Sequence, residues 1–244
     1  MATKKGTEVA KADNNMPAFL KTHMGDTRGS EEVGADDLVI PRIELVQALS
    51  ACRKRTDPTF IDGAVEGMLY NNVTRELYGD EVNVVPIYFR KEWLLWRDQD
   101  LGGGFGGAYP DEASAEKALS EQEKPEEWEV IDTNVHFVLL LKEDGNIEEA
   151  VISMAKTKAK VSRAWNTLVR LNGGPRFSRV YTVRGVPDQN AAGQDFHNLQ
   201  VINRGFVTEE QFKHAEAVYD LITAGKVDIN RDYDDTSAAE DSDI

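Results

Sequence analysis

Between Ser153 and Arg184 the chain carries no Asp or Glu and eight bases: Lys156, Lys158, Lys160, Arg163, Arg170, Arg176, Arg179 and Arg184. An all-basic run is what a phosphate-binding surface is made from, because neutralising a polyanion needs Lys and Arg. Spacing sharpens the reading. Lys156, Lys160, Arg163, Thr167 and Arg170 fall three and four residues apart and collect on one face of a helix. Val161, Ala164, Trp165 and Leu168 define the face that turns to a core. An ordinary amphipathic helix also has a solvated charged face, but that face normally mixes signs.

The segment after this helix, FSRVYTVR, alternates as a strand does, so Arg179 and Tyr181 point one way. Together they would pair a phosphate contact with a stacking ring, unless Tyr181 is a core residue. A second candidate is Phe89-Arg90-Lys91-Glu92-Trp93-Leu94-Leu95-Trp96-Arg97. Rings interleaved with bases suit a groove for single strands, where base stacking tolerates any sequence. Trp93 and Trp96 fall on opposite faces, so one is core and the other is free to stack; the sequence leaves open which.

Other chemistry has little support. GGGFGG at 102–107 lacks the Lys-Ser/Thr of a phosphate-binding P-loop and reads as a flexible loop. The four histidines (His23, His136, His197, His214) are scattered and Cys52 is the lone cysteine, so no metal or cofactor is expected. No nucleophile signature appears. The expectation is a binding protein rather than an enzyme.

The elements that must position these residues read as mainly β with helices. Residues 1–36 are polar and without periodicity, a disordered N-terminal arm. A single folded domain spans 37–227. It begins with strand-like segments to about Asp98, with a turn at Gly79-Asp80. Residues 110–133 hold nine acids against Lys117 and Lys124, and an acidic, solvated insertion is placed at about 108–127. Strands follow at Trp128–Leu141 and Ala150–Met154, then the helix from Ala155 to Leu171, stopped by Asn172-Gly173-Gly174-Pro175. Two strands, Phe177–Val186 and Phe196–Val207, lead to a last helix. Thr208 and Gln211 form its capping box, and Phe212, Ala215, Tyr219 and Ile222 its buried face. Three strands, a helix and two strands is the order of an OB-like five-stranded barrel with one internal helix, here followed by a C-terminal helix.

The formal net charge of −15 argues against a nucleic-acid partner until its distribution is considered. Much of the acid sits in the insertion and in a disordered tail, 228–244. Asp232, Tyr233, Asp234, Asp235, Glu240, Asp241, Asp243 and Ile244 mark that tail as a nucleic-acid mimic that competes with DNA and then recruits partners. There is no apolar run long enough to cross a membrane and no apolar stretch at the N-terminus of the kind a secretory signal needs. A cytoplasmic protein is expected.

The order of elements, the segment KTKAKVSRAWNTLVRL, the strands FSRVYTVRG and FHNLQVINRG, and the tail DDTSAAEDSDI resemble the single-stranded DNA-binding proteins encoded by tailed bacteriophages. The resemblance covers about residues 65–244. It implies an OB fold, protection of single strands in DNA replication and recombination within the infected host cell, and contact with a polymerase or helicase through the acidic C-terminus. The family's tails commonly end in an aromatic, whereas this one ends in Asp243-Ile244. RNA as a further ligand and a homodimer stay open. The competing readings are a phage structural or interaction protein without nucleic-acid affinity, and a metal-dependent nuclease.

Overall fold

The computed structural model describes residue 28 and residues 40–98, 101–190 and 193–225. Apart from residue 28, the expected N-terminal arm lies outside the described residues, as do the acidic tail and its eight singled-out positions.

Among the described residues, nine strands and three helices carry the fold. The strands are β1 (Ile43–Leu45), β2 (Leu69–Asn71), β3 (Leu77–Gly79), β4 (Glu81–Arg97), β5 (Phe105–Tyr109), β6 (Trp128–Leu141), β7 (Ile147–Ala155), β8 (Arg179–Gln189) and β9 (Asp195–Phe206). The helices are α1 (Glu112–Ser120), α2 (Ala159–Asn172) and α3 (Glu209–Thr223). β1, β2 and β3 make a small antiparallel sheet. The larger sheet runs β7-β6-β4-β8-β9, with β5 also on β4, all antiparallel.

β4 explains this layout. Alternating Val82 and Val84 point to one face of the sheet. A bulge between Pro86 and Tyr88 then shifts its register with β6. Val85 and Ile87 serve the opposite face. The same split runs through β6, with Val138 and Leu140 on one side and Val135, Phe137 and Leu139 on the other. A sheet apolar on both faces needs a cover on both. α2, through Trp165, and the small sheet, through Ile43, Leu45 and Leu69, cover the first. α3 covers the second with Ala215, Val218 and Ile222.

The fold is mainly β with helices, as the sequence suggests, but the sheets do not close, and the five-stranded barrel is not confirmed. β7 and β9 do not pair with each other. The segment around β1 sits at both edges instead. Val151 N–H donates to Pro41 O at 2.9 Å, beside a parallel bridge between Arg42 and Val151. On the other side the Gln47 carboxamide acts as a one-residue strand partner. Its Nε2 donates to His197 O at 2.7 Å and its Oε1 accepts from His197 N–H at 3.0 Å.

The glycine-rich segment corrects the sequence reading. It is built structure: Phe105–Tyr109 joins the sheet as β5, so only the first glycines of GGGFGG form the loop. α1 follows, capped by Asp111 accepting from Ser114 N–H and anchored by fully buried Ala115. Tyr219, expected in the buried face of α3, is partly exposed, and Val218 takes its place.

The segment leading into β2 lies tight against Gly185 of β8, where an added Cβ would stand 2.0 Å from the Gly67 carbonyl oxygen. Neither backbone can yield without breaking its own pairing. Gly185→Ala is therefore expected to cost about 2 kcal/mol or more. Urea and thermal unfolding measure it, with Tm falling by roughly 5 °C; an unchanged Tm would refute the close approach.

Candidate nucleic-acid interface

α2 differs from its two companions. α1 and α3 each begin with an acidic first turn and a side-chain cap, Asp111 and Thr208, the latter in the full capping box with Gln211. α2 has neither; its N-cap is Lys158, with Lys160 in the first turn. Cations there oppose the helix dipole, typically by about 0.3–1 kcal/mol each. The helix is held from within. Trp165 and Ser162 are buried, while Val161, Leu168 and Val169 pack against the same cluster. Lys160, Arg163, Thr167 and Arg170 are all exposed. None of the three bases forms an ion pair among the described residues. Ala164, expected on the core face, is exposed instead.

The rest of the basic run divides. Lys156 and Lys158 precede α2 in a 3-10 turn rather than opening the helix. Lys156 Nζ lies 3.1 Å from Glu129. Lys158 is 8 % exposed. Arg176 is turned inward. Arg179 lies over the ring of Phe206 at 4.1 Å, and Arg184 Nε donates to Gln200 Oε1 at 2.8 Å. The structure thus gathers Lys160, Arg163 and Arg170 on one open face and withdraws Lys158 and Arg176 from it.

The aromatic candidates resolve toward the core. Tyr181 is 1 % exposed, edge-on to Trp165, and its hydroxyl accepts from Asn172 Nδ2 at 2.9 Å. Trp96 is 6 % exposed and packs on Phe105. Trp93 is the half-exposed member of the pair, covered by Lys91 Nζ at 4.9 Å from its ring. Lys91 also pairs with Asp132 at 2.7 Å, Arg90 with Glu92, and Arg97 with Glu127. The open ring is one that the sequence reading passed over: Phe206, 75 % exposed and in register with Arg179. Its signal was an aromatic at a strand end, next to Gly205.

A family model of Pam3 phage gp34-like proteins matches residues 5–228. The chain belongs to that family. No curated protein and no solved structure matches it. As a gp34-like chain it is a phage protein, and among its described residues no helix is long and apolar enough to cross a membrane.

The gp34-like chain also contains a buried polar cluster with no sequence signature. His136 of β6 is fully buried and stacks on Trp165 at 4.4 Å. Its Nε2 is 2.8 Å from Ser162 Oγ and its Nδ1 is 2.8 Å from an Arg176 guanidinium nitrogen. A guanidinium only donates, so Nδ1 is the acceptor and Nε2 carries the proton given to Ser162. That tautomer cannot take a proton from the serine, which removes the general-base reading of the pair. Arg176 also donates to Asn166 Oδ1 at 2.9 Å. Burial brings its pKa down to about 10. Among the described residues, no group of three His, Cys, Asp or Glu could hold a metal ion.

Burial, helped by the Arg176 charge, holds the His136 pKa well below 6.5. The unfolded chain therefore takes up a proton near pH 6.5 that the folded chain refuses. Stability is full above that pH and is lost as pH falls below it, with a slope approaching about 1.4 kcal/mol per pH unit. Urea midpoints across this range are expected to fall, and the His136 ring resonances to stay untitrated. A ring that titrates near 6.5 would contradict the buried neutral state.

Proposed function

We propose that this phage protein binds single-stranded DNA without sequence preference, holding phosphates on the open face of α2. The observation that carries the reading is Lys160, Arg163 and Arg170 exposed together with no ion pair among the described residues, on a helix whose N-terminal cations oppose its own dipole. Fold stability does not account for that placement, whereas a polyanionic ligand does. Phe206 under Arg179 replaces Tyr181 as the ring for stacking. The sheet order β7-β6-β4-β8-β9, with α2 between β7 and β8 in the chain, fits an OB-type barrel left open between its third and fifth strands. The acidic tail would compete with DNA for α2 and, once displaced, meet replication proteins such as a polymerase or helicase.

Fluorescence anisotropy with labelled oligo-dT at about 50 and 200 mM salt tests this, since each phosphate contact contributes about 0.7 to the log–log salt slope on single strands. Replacing Lys160, Arg163 and Arg170 together by Ala is expected to weaken low-salt binding at least about tenfold and to lower the slope by about 2. Phe206→Ala is expected to weaken it about fivefold or more, the equivalent of one lost stack. Absence of oligo-dT binding at low salt would overturn the proposal, as would a triple variant that binds like the wild type. Degradation of the oligomer on adding magnesium would instead indicate a nuclease.

A further inference from the structure

A second group of cations lies outside the basic run that contains α2. Arg53-Lys54-Arg55 opens a loop made of consecutive turns. Lys54 N–H donates to Ala51 O at 2.9 Å, Asp57 N–H to Lys54 O at 2.9 Å, and Phe60 N–H to Asp57 O at 3.1 Å. Ile61 N–H closes the loop onto Cys52 O at 2.8 Å, and the side chains of both residues are buried. The loop therefore has a fixed shape. Lys54 and Arg55 are exposed at its start and form no ion pair among the described residues.

Arg75 joins them from the turn between β2 and β3. Its guanidinium donates to Pro58 O, and Arg75 and Lys54 both lie within electrostatic reach of one carboxylate, Asp57. The φ of Arg75 is +60°, where Gly or Asn would sit at less cost. A long cationic side chain thus occupies a position that the backbone alone would give to a smaller residue. Asp57 is turned into the loop, where its Oδ1 accepts from Thr59 N–H at 2.8 Å and from Thr59 Oγ1 at 2.6 Å. Glu66 is taken by Arg53 at 2.6 Å and Glu76 by Lys142 at 2.7 Å, while Asp62 is exposed in the next turn. Lys54, Arg55 and Arg75 against Asp57 and Asp62 leave the patch positive, in a chain of net charge −15.

A series of contacts links this patch to α2. Arg53 donates to Gln47 O at 3.4 Å and to Ala48 O at 2.7 Å. Gln47 in turn holds His197 through its two carboxamide hydrogen bonds. Beside His197, Asn198 Nδ2 donates to Asp188 at 2.9 Å, and Asp188 lies within electrostatic reach of Lys160. The carboxylate of Asp188 stands between the two positive regions, so a polyanion crossing both is held at its ends and not in the middle. We propose that Lys54, Arg55 and Arg75 contact the phosphates of a single strand whose other end lies on α2, as a second contact region of one extended site. The inference rests on the single-strand reading and carries it to residues outside the basic run.

Anisotropy with labelled oligo-dT of about 8 and about 24 nucleotides tests it, lengths below and above the upper limit of roughly 16 nucleotides that one OB-type fold covers. The double variant Lys54→Ala/Arg55→Ala is expected to weaken low-salt binding of the longer oligomer about fivefold or more. Its log–log salt slope should fall by about 1.4, about 0.7 for each lost contact. Binding of the shorter oligomer should stay as in the unaltered chain, which also shows that the α2 face is intact. Unaltered affinity and slope on the longer oligomer would overturn this inference and leave the α2 reading standing. Equal weakening of both lengths would overturn the two-ended site. If the unaltered chain binds neither length at low salt, the α2 reading and this inference fail together.

Discussion

β4 has one edge filled and the other divided, and much of the molecule follows from that. β6 pairs along the first edge from Asn83 to Arg97. On the second edge β8 takes Glu81–Val84 and β5 takes Trp93–Trp96. Between them, Val85 to Glu92 has no strand partner on that side among the described residues. Pro86 lies in this stretch, where a residue without an N–H costs least. The 3-10 turn at Arg176–Ser178 packs against it, bringing Arg176 over Phe89 at 5.6 Å and onto His136. The end of α2 and the start of β8 are thereby fixed relative to the centre of the sheet.

This constraint also sorts the charges. Arg176 belongs to the basic run in sequence and to the interior in space, where His136 and Asn166 hold it. Several other cations among the described residues meet carboxylates across elements: Lys142 with Glu76 and Glu148, Arg97 with Glu127, Arg204 with Glu81. These exposed and half-exposed pairs add little stability singly, but they cancel charge over the sheet surface. On α2, Lys160, Arg163 and Arg170 form no ion pair among the described residues, although Lys160 lies within electrostatic reach of Asp188. A chain of net charge −15 thus keeps a local positive face by spending its acids elsewhere.

Features set by neighbours in the chain were legible. The Thr208–Gln211 box, the stop after Asn172, the long strand after Gly79-Asp80 and the exposed face at Lys160, Arg163 and Arg170 all follow local spacing. Features set by tertiary neighbours were not. Alternation places Tyr181 on a face but does not say that Trp165 lies above it. β5 reads as a loop because its glycines serve packing: a Cβ on Gly106 would meet Trp128 at 2.7 Å. α1 fully buries only Ala115, so its periodicity is faint. The partners of His136 are 26 and 40 residues away, a distance at which no spacing rule operates.

The same burial that hid His136 frees the outside of α2. A helix without a cap, carrying cations at its N-terminus, needs anchoring from another source. Trp165, fully buried and stacked on His136, supplies it, together with the Ser162–His136 hydrogen bond and the Asn172–Tyr181 bond at the far end. Each anchor faces inward, and none uses Lys160, Arg163 or Arg170. The position of the helix and the charge of its surface are therefore set by separate residues. Substitutions on the outer face change the field the protein presents without moving the helix, and such independence is what a binding surface on a rigid element requires.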